Sequence, residues 1–145
     1  MTAKSTSEVV WDGDLANGSG RVWGHSGALK EAPVSWASRT ERSAGKTSPE
    51  ELLAAAHAAC YAMAFSSTLA KLGKPPKQLR ILATATFDKV GDAMSVTTMD
   101  IEVHGSVPGI DAAQFADAAK TAGANCPISR ALKGNVEVKV VAHLE

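Results

Sequence analysis

Two thiols have the widest chemical reach of any side chains in this chain. Cys60 falls in the middle of an uncharged, alanine-rich run, and Cys126 stands directly before a proline. A thiolate is a nucleophile, a metal ligand and half of a disulfide. The bland reading is that each cysteine is a small buried apolar group. A metal reading also exists, because His57 and Cys60 are three apart on one helical face, a spacing zinc accepts. Cys126 and one of His25, His104 or His143 would complete such a set. Nothing in the spacing brings those residues together, so neither metal nor cofactor is expected.

Each thiol needs an element to hold it. Ser48 is a good helix N-cap, Pro49 suits the first helical position, and Glu50 and Glu51 sit where the helix dipole favours negative charge. Glu51, three after Ser48, completes a capping-box pattern. The helix is predicted from Pro49 to about Leu72, ended by Gly73, Pro75 and Pro76. Residues 37–48 read as a polar loop. The N-terminal third predicts short strands at Glu8–Trp11, Arg21–Trp23 and Pro33–Trp36, with Gly18 and Gly20 as turn residues. Two long strands are predicted at Gln78–Val90 and Met94–Val107, the second with one break in its alternation. A helix over Asp111–Ala122, a short helix over Ile128–Leu132 and a last strand over Asn135–Leu144 follow. Neighbouring strands are expected to pair mostly antiparallel, which gives an α+β class.

The 145 residues suffice for one domain, 1–145, that hides roughly 70% of its unfolded surface without staples. Fifteen Lys and Arg balance fifteen Asp and Glu. That neutrality argues against nucleic-acid binding, which needs a basic surface. Two cysteines are too few for a disulfide framework, and the polar start at Met1–Ser7 carries no secretory pattern, so a cytoplasmic protein is expected. Leu52–Ala70 holds no Asp, Glu, Lys or Arg and is long enough to approach a membrane span. Its polar residues, cap and terminal glycine instead predict a helix buried on nearly all sides, partly by a second subunit, with no membrane role.

The segment Thr47-Ser48-Pro49-Glu50-Glu51-Leu52-Leu53-Ala54-Ala55-Ala56-His57-Ala58-Ala59-Cys60 resembles the helix motif of the OsmC/Ohr family, the osmotically inducible and organic-hydroperoxide-resistance proteins. Cys126-Pro127-Ile128-Ser129-Arg130-Ala131-Leu132 resembles the family's second cysteine motif. Ser38-Arg39-Thr40-Glu41 and Val107-Pro108-Gly109-Ile110-Asp111 resemble the OsmC branch. The chain departs from the pattern at Thr40, often aromatic in that branch, and at Ser48, usually Asn.

The resemblance implies an OsmC-like fold: antiparallel sheets packed on a long central helix in an intertwined homodimer. It implies a thiol peroxidase that reduces organic hydroperoxides, and hydrogen peroxide more weakly. By the same resemblance Cys60 is the peroxidatic and Cys126 the resolving cysteine, with Arg39 and Glu50 as a supporting ion pair and a dithiol, on a lipoylated partner protein, as reductant. The related Ohr branch takes its arginine from near the N-terminal strands, which leaves Arg21 as the alternative to Arg39. Cys60 lies too deep in its helix to draw on the dipole, so an arginine must supply the charge that favours a thiolate. Glu50 would hold that guanidinium in a bidentate pair. A different class of function, a redox-sensing interaction protein, would use the same cysteine pair without sustained turnover.

Overall fold

The computed structural model describes residues 1–42 and 44–145. Ser43, part of the predicted 37–48 loop, lies outside the described residues. The chain divides into two compact units, Met1–Leu52 and Leu53–Glu145.

The first unit holds strands β1 (Ser7–Asp12), β2 (Ser19–Gly24) and β3 (Ala32–Val34) in one antiparallel sheet, order β1-β2-β3. Gly20 is a strand residue and not the turn glycine the sequence predicted. A Cβ there would meet Trp11 Cε3 at 2.8 Å and Val34 Cγ1 at 2.9 Å. The third strand is also shorter than predicted, because Trp36 opens a helix, α1 (Trp36–Thr40), where a loop was expected. The reason is local. Ser35 Oγ accepts from Ser38 N–H at 3.1 Å, and Ser38 Oγ accepts from Ser35 N–H at 2.9 Å, a capping box made of two serines. Ser38 Oγ also lies 2.8 Å from Thr47 O. Thr47 N–H donates to Pro33 O, and Val34 bridges Thr47 in parallel. These bonds hold the approach to helix α2 (Pro49–Lys71) against β3 and α1.

At the start of α2, Ser48 Oγ accepts from Glu51 N–H at 3.1 Å, as predicted. The Glu51 carboxylate departs from the reciprocal half of the box and takes the Thr47 hydroxyl at 2.8 Å.

In the second unit, β4 (Gln78–Val90) and β5 (Ala93–Ser106) form a long antiparallel hairpin. Thr86 pairs Thr98 and Phe87 pairs Val96, so Thr97 is the extra residue of a bulge. That bulge is the predicted break in alternation. Helices α3 (Ala112–Asn125) and α4 (Pro127–Leu132) lead to β6 (Glu137–Leu144), which pairs β5 in parallel. The mostly antiparallel pairing expected is found between β1 and β2, β2 and β3, and β4 and β5, and the parallel β5–β6 pair is the exception. A parallel neighbour requires a crossover, and α3 with α4 provide it.

One stripe of α2, Ala54, His57, Tyr61, Phe65 and Leu69, is buried against Met99, Ile101 and Val103 of β5 and Phe115, Ala118, Ala119 and Ala122 of α3. The spacing of that stripe is the three-and-four rhythm of a one-faced helix. Tyr61 Oη donates to Ala119 O at 2.7 Å, and Phe65 stacks at a tilt on Phe115, centroids 5.1 Å apart. The prediction of a helix covered on nearly all sides does not hold within one chain. Ala55, Ala56, Ala59 and Ala70 are exposed, and Met63 is 74% exposed. Among the described residues α2 alone is long and apolar enough to cross a membrane.

Candidate active site

Cys60 is half-buried on α2, and Cys126 is fully buried at the junction of α3 and α4. Cys126 ends α3 and caps α4 at once, in an extended conformation (φ −68°, ψ 118°). Pro127 occupies the first position of α4, so the free N–H groups of that short helix begin at Ile128. The Ser129 N–H and hydroxyl and the Ile128 N–H act on the Cys126 thiol, and the two thiols act on each other.

The electrostatics differ at the two sulfurs. Burial pushes the Cys60 thiol up; the Ile128 N–H opposes this and the neighbouring Cys126 adds to it. No cation is among the causes. Burial acts upward on Cys126 as well, but the donors from Ser129, Cys60 and Ile128 outweigh it and the Cys126 thiol is lowered. Charge in the isolated chain is therefore better accommodated at Cys126. A cleft of about 480 Å³ opens beside Cys60, lined also by Met63, Ala64, Thr68, Lys71 and Pro127.

His57, read from the sequence as a packing residue, is fully buried on the same stripe. It also reaches across the chain: Nε2 lies 2.7 Å from Ser129 Oγ. Burial lowers its pKa, so the ring is neutral at neutral pH, and Nδ1 is without a hydrogen-bond partner among the described residues. Ser129 was missed as a site residue. Its signal was its place three after Cys126, where a capped helix directs an N–H and side chain back at the cap. The zinc set weighed from sequence, His57 and Cys60 with Cys126 and a further histidine, forms no metal-sized ligand group among the described residues.

Arg39 and Glu50 meet in the first unit. Arg39 Nε lies 2.9 Å and Nη2 2.7 Å from Glu50 Oε1. Both nitrogens converge on one oxygen, which differs from the two-oxygen fork expected for a bidentate pair. Glu50 Oε2 is buried and has no partner among the described residues. The guanidinium carbon sits 5.9 Å from the Trp36 ring centroid, within cation–π range. Helix α1 therefore aims Arg39, the Ser38–Thr47 tie fixes α1 against the start of α2, and Glu50 receives the charge. Arg21 is exposed on β2, opposite Val10 and Pro33.

The OsmC-like protein family model matches residues 42–141. Over 136 residues the chain is 38% identical to peroxiredoxin OsmC of Escherichia coli strain K12, covering 94% of each chain. It is 32% identical over 94 residues, 63% of each chain, to an organic hydroperoxide resistance protein of Xanthomonas axonopodis pv. citri. In fold it is similar to the organic hydroperoxide resistance protein OhrB of Bacillus subtilis, with a TM-score of 0.71 at 22% identity over 95% of this chain and 98% of that one. An organic hydroperoxide resistance protein from Elizabethkingia anophelis aligns over 100% of both chains with a TM-score of 0.74 at 22% identity.

Proposed function

Because this chain belongs to the OsmC-like family, we propose that it is a thiol peroxidase that reduces organic hydroperoxides, and hydrogen peroxide less well, through Cys60 and Cys126. The observation that carries the reading is the placing of both thiols at one cleft: Cys60 lines it together with Asn125 and Pro127, the two neighbours of the buried Cys126. On this reading the half-buried sulfur meets substrate and the buried one captures the product.

In the first step the Cys60 thiolate attacks the outer oxygen of the hydroperoxide. A sulfur–oxygen bond forms, the oxygen–oxygen bond breaks, and the alkoxide leaves to take a proton as alcohol. Cys126 then attacks the Cys60 sulfenic acid, a disulfide forms and water departs. A dithiol restores both thiols and is itself oxidised to a disulfide. A dihydrolipoyl group on a partner protein has that chemistry.

The first step needs a thiolate at Cys60, whose own chain pushes its thiol up. We read Arg39, held by Glu50, as the missing charge, delivered from a second copy of the chain. An ideal helix places Glu50 and Cys60 about 15 Å apart along the axis and about 80° apart around it. The unpartnered Oε2 of Glu50 supports the same reading, since a buried carboxylate oxygen without a donor is costly.

Steady-state reduction of an alkyl hydroperoxide by a dithiol tests the proposal. Wild type is expected to turn over, Cys60→Ser to be inactive, and Cys126→Ser to consume about one equivalent and stall as a sulfenic acid. Stoichiometric oxidation of wild type without turnover would instead favour a redox sensor. A first turnover retained in Cys60→Ser and lost in Cys126→Ser would reverse the roles of the cysteines.

A further inference from the structure

A second group of chemically capable side chains lies on the opposite face of the second sheet from the core. Along β5, Met99, Ile101 and Val103 point into the core, so Glu102 and His104 point away from it. On β6, His143 shares that outer face and stands directly opposite His104 in the parallel register. The two imidazoles stack with centroids 4.8 Å apart and planes 25° from parallel. Glu102 Oε1 lies 3.0 Å from His104 Nε2 and 3.3 Å from His143 Nε2. One oxygen and two nitrogens thus converge, all within 4.8 Å of one another.

We propose that Glu102, His104 and His143 form a binding site for a divalent transition-metal ion of the zinc class. Zinc bonds of about 2.0–2.1 Å in a tetrahedron set neighbouring donors roughly 3.3 Å apart. The two carboxylate-to-imidazole separations are already near that edge. The donor set, two imidazoles and one carboxylate, suits zinc or copper and not magnesium or calcium, which take oxygen.

Glu145 supplies the second observation. Its Oε1 lies 3.1 Å from His104 Nδ1, and its backbone N–H is tied to Gly105 O at 2.9 Å. A metal-binding imidazole characteristically donates its far N–H to a carboxylate, which fixes the tautomer and leaves the other nitrogen's lone pair for the ion. Here that leaves His104 Nε2 facing Glu102 and His143. Glu102 and Glu145, one at each nitrogen of His104, would balance the two charges of a divalent ion. Three protein ligands leave a fourth position open on the solvent side. The bound ion would tie β5 to β6.

Zinc titrated calorimetrically into the Cys60→Ser/Cys126→Ser variant, which has no thiol ligands, tests the site. One ion per chain is expected, with His143→Ala in that background abolishing it and Glu145→Gln weakening it about tenfold. Cobalt in the same variant should give visible bands of a nitrogen–oxygen site that disappear with His143→Ala. In the chain with both cysteines, His143→Ala should lower the zinc stoichiometry by one and remove part of the zinc-induced rise in Tm. Absence of saturable zinc binding in the double variant, or binding that His143→Ala leaves unchanged, would overturn the proposal.

Discussion

Of the groups that lower the Cys126 thiol, two belong to Ser129: its backbone N–H and its hydroxyl. Ser129→Ala removes the hydroxyl and keeps the backbone N–H. The Cys126 thiol should then rise, read as a shift to higher pH of its alkylation rate in a Cys60→Ser background. The same substitution strips His57 Nε2 of its partner inside the core, which should lower unfolding stability by about 1–3 kcal/mol. An unshifted alkylation profile would place the lowering elsewhere. His57 gives a separate pH signature. Its folded pKa is lowered by burial, so the folded chain holds it neutral while the unfolded chain takes up a proton below about pH 6.5. The unfolded state then binds more protons, and stability falls as pH drops below that value, by at most about 1.4 kcal/mol per pH unit. Above it the contribution is fully present. Urea unfolding between about pH 5 and 8 should show this acid limb in wild type and a flatter one in His57→Gln.

At the scale of elements, the close approach of β5 to α3 is the most sharply testable contact. A Cβ on Gly105 would meet Phe115 Cζ at 2.4 Å and Cε2 at 2.6 Å, and Phe115 is 1% exposed and has no room to swing away. Gly105→Ala should therefore cost about 1–3 kcal/mol as overpacking, seen as a lower urea midpoint with an unchanged slope. What was legible in the sequence at this scale was whatever a local rule controls. The Ser48-Pro49 start of α2, the β4–β5 hairpin and the break at Thr97 are set by capping and by period-two alternation. Helix α1 was not legible, because five residues carry no apolar periodicity and two serine hydroxyls make the helix. The parallel pairing of β6 was not legible either. Its alternation is the same in either direction, and only the path through α3 and α4 decides it. At the site, both cysteines stood out by position. The contact between His57 and Ser129, 72 positions apart, is a product of tertiary packing that no spacing rule encodes.

At the scale of the whole molecule, the chain leaves two needs unmet: an uncovered apolar face on α2 and a thiol at Cys60 that burial pushes up, with no cation among the described residues that offsets it. The proposed assembly would answer both. Two copies of α2 crossing antiparallel near Ala55 would bring Glu50 of one chain level with Cys60 of the other. Ala55, Ala58 and Ala59 would permit close approach there, whereas Ala54 is turned into its own core. Each site would then take its thiols from one chain and its Arg39–Glu50 pair from the other. Arg39→Ala should slow peroxide reduction and raise the pH at which Cys60 is alkylated. The sharper test is complementation. Cys60→Ser and Glu50→Ala chains, each inactive alone, are unfolded together and refolded. A mixed dimer holds one site with both defects and one with neither, so a random mixture should recover about a quarter of wild-type activity, half its dimers being mixed with one working site each. If each site were built within one chain, both sites of the mixed dimer would carry a defect. A mixture that stays inactive despite demonstrated chain exchange would therefore exclude the shared site.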